Sequence, residues 1–457
     1  MSEGSGGDAR TVASWAGAIA AQAAPLETAE LGQRWAALPT ERAMRVTDLD
    51  DPRAAYWRLR FHVEPSARST AFLDRGVRLH AALGEILDGA AIQEVSVRRD
   101  GVVGRIDAMG EFPLELKTSG RAVAAEALLD ERPEAVAQLV TYCALTERPR
   151  GMLVWVGGPE GSPLDVAVAE FEVPDLAAAR ECIRALQARL RDAVRRGSTA
   201  GLPACRWREA HCPFRAAGVC DCTGGEPPVD HPILRGIAPG ARRADLEVRY
   251  RERYHALGAS DEGRIRSFDA LIYPREAYFQ RTRRPRSAPT LVTPGPGLAP
   301  DTFERLTAAL ESGPLGEVRR ALPRADSAPD TIPVWRDLPY VVRRLRYAPR
   351  ADPTELLVRF PQYFLQLGLY GVALGAAEGW LVLGWDDDGA SAPPVRVYRC
   401  QLLGRGAFSR YWRDVARSLD RTAIDGEFER LVACPAWKAR RCPYQPSCGC
   451  PIGPDSR

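Results

Sequence analysis

The chain has 457 residues, of which 45% are hydrophobic and 26% charged, and its formal net charge is +3. This length exceeds one ordinary hydrophobic core and predicts two domains, and the composition is typical of a soluble globular protein. The nearly balanced charge excludes a strong overall attraction to nucleic acid, so an anionic partner would have to be bound by local basic groups.

The sequence predicts no membrane span. The alanine-rich residues 13–24 are too short and too weakly apolar to cross a bilayer, and no basic segment precedes them as in a signal peptide. We therefore expect a cytoplasmic protein with no membrane partner. Cysteines stay reduced in that compartment, so clusters of them favour metal binding over disulfides.

Hydrophobic spacing predicts the elements of the first part of the chain in order. They are one or two helices over 11–38, a helix over 70–87, strands over 92–98, 102–107 and 112–118, a helix over 133–145, strands over 151–156 and 164–173, and a helix over 175–195. A cysteine-rich segment over 205–222 follows, and residues 246–257 are a further candidate helix.

Two carboxylates and a lysine stand close together in the predicted strands. Asp107 ends one strand, and Glu115 and Lys117 lie two residues apart in the next, so these two side chains share one face. Of the 62 basic residues only Lys117 and Lys438 are lysines, so a compact, titratable charge has been kept here. Adjacent strands could bring Asp107 and Glu115 together, as a hard divalent cation requires. The alternative is an exposed hairpin with a solvated ion pair.

The chain also contains an internal repeat at an offset of about 220–230 residues. Residues 52–57, 78–83, 133–142, 151–156 and 205–222 recur in order as residues 274–279, 305–310, 361–370, 379–384 and 434–450. This predicts a tandem duplication. Its parts are an N-terminal helical or disordered segment (1–40), a first copy (41–223), a linker (224–263) and a second copy (264–457).

The residues that could perform chemistry differ between the two copies, although the scaffold residues persist. The alignment places Thr307 opposite His80, Val341 opposite Glu115 and Arg343 opposite Lys117, and residues 332–334 opposite Asp107 without a carboxylate. Loss confined to such residues predicts an inactive second copy.

Four motifs follow one another in the first copy. They are Gly76 and His80 in one helix, Gly104 to Asp107, Glu115 to Lys117, and Gln138 with Tyr142 in the next helix. This ordered set resembles the RecB-type branch of the PD-(D/E)XK nucleases, over about residues 46–222, with a degenerate echo over about 264–450. The resemblance implies an α/β fold of two tandem PD-(D/E)XK domains, each a mixed central sheet flanked by helices with a cysteine-rich C-terminal tail.

The resemblance also implies roles for these residues. Asp107 and Glu115, with the Leu116 carbonyl, would hold Mg²⁺ or Mn²⁺, and His80 would be a further ligand. Lys117 would orient the attacking water and stabilise charge on the phosphate. Gln138 and Tyr142 would contact the nucleic-acid strand. Since they persist as Gln366 and Tyr370, a structural role is the alternative, and His80 could equally be a buried core histidine.

Eight cysteines form two sets of four, one at the end of each copy. They are Cys205, Cys212, Cys220 and Cys222 in the first tail and Cys434, Cys442, Cys448 and Cys450 in the second. Four thiolates suffice for a zinc ion or an iron–sulfur cluster. The cysteine-cluster nucleases of the AddB-like and CRISPR-associated kinds imply a 4Fe-4S cluster. They take one cysteine from an upstream Cys-Pro-Arg step, where this chain has Asp51 and Tyr273, so Zn²⁺ stays open.

The sequence thus predicts a metal-dependent DNA nuclease acting on single strands or duplex ends. It contains no helicase P-loop, so unwinding would need a helicase or another repair or defence partner. The alternatives are a non-catalytic nucleic-acid-binding scaffold with two structural metal sites, and an RNA-processing nuclease.

Overall fold

A computed structural model describes most of both copies. The described residues are 19–39, 41–63, 92–119, 121–157, 165–203, 213–220, 231–258, 273–275, 278–279, 292–294, 297–298, 302–311, 318–320, 331–345, 348–349, 352–385, 394–431, 433–434, 444 and 447–450. They form an α/β protein with two mixed sheets flanked by helices. The predicted helix over 70–87, with Gly76 and His80, lies outside the described residues.

The strands are short and evenly distributed over the chain. They are β1 (Ile19–Ala23), β2 (Met44–Arg45), β3 (Phe61–Val63), β4 (Ile92–Arg99), β5 (Val102–Met109), β6 (Pro113–Thr118), β7 (Arg150–Gly157), β8 (Asp165–Glu172), β9 (Ala241–Arg242), β10 (Val292–Pro294), β11 (Val318–Arg320), β12 (Thr331–Trp335), β13 (Leu338–Leu345), β14 (Glu378–Trp385) and β15 (Val395–Leu402). The strands predicted over 92–118 and 151–173 are confirmed.

The helices alternate with these strands. They are α1 (Pro25–Ala36), α2 (Val46–Asp50), α3 (Pro52–Arg60), α4 (Leu128–Glu131), α5 (Pro133–Thr146), α6 (Leu176–Arg196), α7 (Pro213–Ala216), α8 (Ala244–Gly258), α9 (Thr302–Leu310), α10 (Pro353–Arg359), α11 (Pro361–Leu374) and α12 (Arg405–Asp425). Local chemistry sets their ends: Asp175 accepts a hydrogen bond from the Ala178 amide at the start of α6, and Gly197, at φ 69°, ends it.

The first sheet has the order β2-β5-β6-β7-β8-β9, with β4 paired to β5. Strands β6 and β7 run parallel, and β5 and β8 run antiparallel to them on either side. One face packs against α5 and α6. The other face packs against α8 through Leu246 and Tyr250. Because side chains alternate along β6, Glu115 and Lys117 lie on the α5 face and Leu114 and Leu116 on the α8 face.

The second sheet has the order β1-β15-β14-β13-β12-β11 and repeats the first in register. In the parallel pair β6–β7, Glu115 is opposite Leu153, and in β13–β14 Val341 is opposite Leu381. Helices α5 and α11 both have 14 residues, and α6 and α12 both have 21. The aligned residues of the two copies therefore occupy equivalent positions in two sheets.

Each sheet is completed by a strand and helix from elsewhere in the chain, which we call leading segments. The first leading segment, residues 19–36, comprises β1 and α1, and the second, residues 241–258, comprises β9 and α8. Strand β1 pairs antiparallel with β15 in the second copy, with Ala23 opposite Tyr398. Strand β9 pairs antiparallel with β8 in the first copy, with Arg242 opposite Ala169. Each copy is thus edged by the segment that precedes the other copy.

The two leading segments dock by the same hydrogen bonds. The Ala24 amide donates to the Val397 carbonyl and the Arg243 amide to the Val168 carbonyl, both at 2.9 Å. In return, the Val397 amide donates to Thr28 Oγ1 at 3.0 Å, and the Val168 amide donates to Glu247 Oε1 at 3.2 Å. The exchange therefore follows from a repeated interaction, and it interlocks the copies.

Part of the helical prediction for the N-terminal region is wrong. A helix is present at Pro25–Ala36, but Ile19–Ala23 forms strand β1. The alanine-rich stretch has weak side-chain patterning, and pairing with the edge of β15 satisfies its backbone groups instead. The helix predicted over 246–257 is confirmed as α8.

We expect Leu31→Ala to lower the free energy of unfolding by about 2–5 kcal/mol, because Leu31 is fully buried against the second sheet. Leu26 in the same helix is 80% exposed, so Leu26→Ala should change the free energy of unfolding by less than about 0.5 kcal/mol. Chemical denaturation of both variants measures the difference. Equal, small effects would show that the first leading segment does not pack as described.

Candidate active site

The two strands that carry the predicted carboxylates diverge at the site. Strands β5 and β6 pair at Ala108–Leu114 and Met109–Pro113. Beyond these pairs the Asp107 side chain, and not the backbone, links the two strands. Its Oδ2 atom accepts a hydrogen bond from the Leu116 amide at 2.7 Å. This bond ties Asp107 to the strand of Glu115, so the sheet brings the two predicted carboxylates to one place.

Glu115 is 1% exposed, although it carries a carboxyl group. Lys117 Nζ donates a hydrogen bond to Glu115 Oε1. The second oxygen, Oε2, is buried and has no hydrogen-bond partner among the residues that the structure describes. A buried oxygen without a partner carries a desolvation cost, which a bound cation would offset. The arrangement is therefore a compact ion pair with one unused acceptor, and the exposed hairpin considered from the sequence is excluded.

Burial makes the Glu115 carboxyl unusually basic. Burial raises the pKa of Glu115 to about 8 against the opposing charge of Lys117, and the negative charges of Asp107 and Asp50 add to the rise. Burial would lower the pKa of Lys117, but Glu115, Asp107 and Asp50 together raise it. The site thus combines an excess of acidic groups with apolar surroundings, and it keeps Lys117 protonated.

Asp50 is a site residue that the sequence analysis did not assign. It ends α2 and is buried, and its charge acts on Glu115, Lys117 and Tyr142. The available indication was the acidic run at 48–51 before Pro52. Its neighbours have local roles: Asp48 Oδ2 accepts from the Arg45 amide at 2.8 Å, and Asp51 Oδ1 from the Ala54 amide at 3.0 Å.

Gln138 and Tyr142 lie inside the protein beside Asp107. The Tyr142 hydroxyl donates to the Arg105 carbonyl at 2.8 Å, and Gln138 Nε2 donates to the Tyr142 hydroxyl at 3.4 Å. Gly104 makes room for this ring, since a Cβ atom there would lie 2.6 Å from a Tyr142 carbon. Burial, together with the nearby carboxylates, raises the pKa of Tyr142. The described contacts of both side chains fix the strand that carries Asp107.

The equivalent place in the second copy has no acidic ligands. The pairing of Val334 with Pro339 puts Ile332 at the position of Asp107, and Ile332 and Val341 are both buried. Arg343, opposite Leu383 as Lys117 is opposite Trp155, donates to Gln366 Oε1. Hydrophobic packing there replaces the carboxylates that the first copy holds.

In the second tail, Cys434, Cys448 and Cys450 are all buried. The Cys434 amide donates to Cys450 Sγ at 3.4 Å. Hydrogen bonding with Cys434 lowers the pKa of the Cys450 thiol to about 6 against the effect of burial, and Cys448 and Arg275 contribute to the lowering. The predicted residues Cys205, Cys212, Cys222 and Cys442 lie outside the described residues, and Cys220 is half-buried.

Arg275 attaches this tail to the rest of the second copy. Its buried guanidinium donates to four carbonyl groups, those of Glu429, Leu431, Cys448 and Gly449. Arg53 in the first copy donates to the carbonyl of Leu202. Both arginines follow the proline of the repeated motif, so the Pro-Arg step holds the backbone of each tail.

The residues that the structure describes contain no metal-binding group of side chains and no membrane-spanning helix. No group of three or more histidine, cysteine, aspartate or glutamate side chains within them is arranged to hold a metal ion. No helix in the same residues is long and apolar enough to cross a membrane.

Comparisons with known proteins identify no family for this chain. No family model matches the chain, and no curated protein matches it. A solved structure described as "Crystal structure of SSO0001" aligns over 44% of this chain and 98% of its own, at 19% identity and a TM-score of 0.27. That similarity is too low to carry a conclusion. The chain is an α/β protein of mixed sheets flanked by helices.

Proposed function

We propose that the first copy is a metal-dependent DNA nuclease of the RecB-type PD-(D/E)XK kind and that the second copy is catalytically inactive. The observation that carries the proposal is the buried Glu115 carboxylate, with one unused oxygen, beside Lys117 and Asp107. The second copy repeats the register but has Val341 and Ile332 in place of these acids. A surface charge cluster would not show this contrast at buried positions.

The donor set fits a hard divalent cation. Glu115 Oε2 is buried and unused, Asp107 is held beside it through Leu116, and carboxylate oxygens are what Mg²⁺ and Mn²⁺ prefer. Bound by Asp107, Glu115 and the Leu116 carbonyl, the ion would stabilise charge on the scissile phosphate and lower the pKa of the attacking water. The resemblance adds His80 as a further ligand.

Lys117 supplies the positive charge that the protein itself contributes. Its ammonium group is only partly exposed and is oriented by Glu115, so little reorganisation is needed when a phosphate approaches. The Asp107–Leu116 bond and the Tyr142–Arg105 bond hold both strands in place. In this proposal Gln138 and Tyr142 position the site from within.

We further propose that each cysteine tail holds a structural metal centre, a 4Fe-4S cluster or Zn²⁺. The second tail supports this, because its three described cysteines are buried and hydrogen bonding with Cys434 and Cys448 lowers the pKa of Cys450 to about 6. A thiol of that pKa is largely thiolate at neutral pH, the form that binds metal. Arg275 holds the backbone around it, and Cys442 would complete the set.

Lys117→Ala and Asp107→Asn are expected to abolish cleavage of labelled DNA in Mg²⁺ or Mn²⁺, with losses of at least about 100-fold each. Glu111→Gln, which removes an exposed carboxylate in the turn between β5 and β6, should leave cleavage within about threefold. Gel assays on single-stranded and duplex DNA and on RNA measure this. Cleavage that persists unchanged in the Lys117 and Asp107 variants would reject the site, and RNA cleavage alone would favour the RNA-processing alternative.

Purified protein should contain iron with a broad visible absorption band, or zinc in stoichiometric amount, and Cys448→Ser and Cys450→Ser should remove the metal of the second tail. Cys182→Ser, in α6 and outside both tails, is the matched control and should retain it. Elemental analysis with absorption spectroscopy distinguishes the metals. Metal-free protein with reactive tail thiols would contradict the proposal.

A further inference from the structure

We infer that the second copy contains an anion site, centred on Arg343, that holds one phosphodiester group of a single DNA strand without a metal ion. The choice of DNA as ligand rests on the proposed function. The site itself rests on the charge, contacts and aromatic neighbours of Arg343, and nothing in the comparisons assigns it.

The charge differs between equivalent positions of the two copies. The acids Asp50, Asp107 and Glu115 of the first copy correspond to Ile272, Ile332 and Val341. Lys117 corresponds to Arg343, so the cation is kept while every acid is replaced by an aliphatic side chain. A metal-free first site repels a phosphate, whereas the second site attracts one. Ile272 lies outside the described residues, and Ile332 and Val341 are buried.

Arg343 lacks a counter-charge among the described residues. In the part of the chain that the structure describes, no carboxylate lies within ion-pair distance of its guanidinium. It donates to the Val342 carbonyl at 2.8 Å and to Gln366 Oε1. Two of the five N–H groups are thus used. A partly buried cation held only by neutral acceptors is costly unless an external anion binds it.

A pair of stacked aromatic rings lies beside the Arg343 guanidinium. Phe360 and Tyr363 stack with centroids 5.2 Å apart and planes 9° apart, and the Arg343 guanidinium lies 5.4 Å from the Tyr363 centroid. Both rings are partly exposed. The equivalent first-copy residues are Arg132 and Ala135, so the pair is specific to the second copy. Basic groups next to stacking surfaces are typical of sites for single strands, where phosphates and bases are bound together.

Gln366 tunes the site. It donates to the Tyr370 hydroxyl at 2.7 Å, which turns its carbonyl oxygen toward Arg343. The guanidinium is thereby oriented without being neutralised. In the first copy the equivalent Gln138 donates to the Tyr142 hydroxyl, and Lys117 pairs with Glu115 instead. The cation therefore pairs with a carboxyl group in the first copy, whereas in the second copy it is held by a neutral amide.

The test is binding of a fluorescent oligothymidylate in EDTA, where the first copy does not cleave. Arg343→Gln should weaken binding about five- to tenfold and lower the slope of log affinity against log salt by about 0.7. Arg344→Gln removes the same charge one residue away, on the opposite face of β13, and should weaken binding less than twofold. Tyr363→Ala should weaken it about fivefold through lost stacking.

Gln366→Glu is a second variant that distinguishes lost binding from misfolding. It gives Arg343 an internal carboxylate and keeps a side chain of nearly the same shape. Binding should fall as in Arg343→Gln, with thermal stability unchanged or raised. Inorganic phosphate at millimolar concentration should compete poorly, whereas competition equal to that of DNA would indicate a free-phosphate site. Equal affinity of wild type, Arg343→Gln and Gln366→Glu would overturn the inference. Because binding is measured without cleavage, its failure is distinct from failure of the nuclease assignment.

Discussion

One hydrogen bond, from the Leu116 amide to the Asp107 carboxylate, sets the geometry on which the proposed chemistry depends. It replaces strand pairing where β5 and β6 diverge and fixes an acid beside the buried Glu115. The surrounding residues stabilise this arrangement. Gly104 leaves space for the ring of Tyr142, and the Tyr142 hydroxyl donates a hydrogen bond to the Arg105 carbonyl in β5. The costly burial of an acid is thus concentrated where a cation would relieve it.

Sequence patterns were sufficient for elements whose structure is locally determined. Hydrophobic periodicity and the helix-starting Pro133 predict helix α5 and the strands on either side of it. Glu115 and Lys117 share one face of β6 because side chains alternate along a strand. The exchange of leading segments could not be predicted, because β1 finds its partner β15 nearly 380 residues away. Asp50 was missed for a similar reason: its relation to Glu115 exists only after α2 docks beside the sheet.

The two copies show how one scaffold can support opposite electrostatics. The register of the central parallel strands is identical, so the differences lie in side chains at fixed positions. In the first copy the buried Glu115 pairs with Lys117. In the second copy Val341 is buried at the equivalent position, and Arg343 donates a hydrogen bond to the neutral Gln366. Because the leading segments exchange, neither sheet is complete without the other copy's segment. The second copy is therefore an integral part of the protein that carries the first.

The most direct measurement of the cation site is thermal unfolding with and without Mn²⁺ at pH 5 and pH 8. The folded-state pKa of Glu115, about 8, lies above the ordinary value of 4.5. The folded protein should therefore lose stability as the pH rises from about 4.5 to about 8, because the buried carboxyl group becomes ionised. Mn²⁺ should restore stability, more at pH 8 than at pH 5, in wild type and in Val341→Ala. Glu115→Gln and Asp107→Asn should abolish this gain. The same Mn²⁺ gain in all four proteins would contradict a metal site at Asp107 and Glu115.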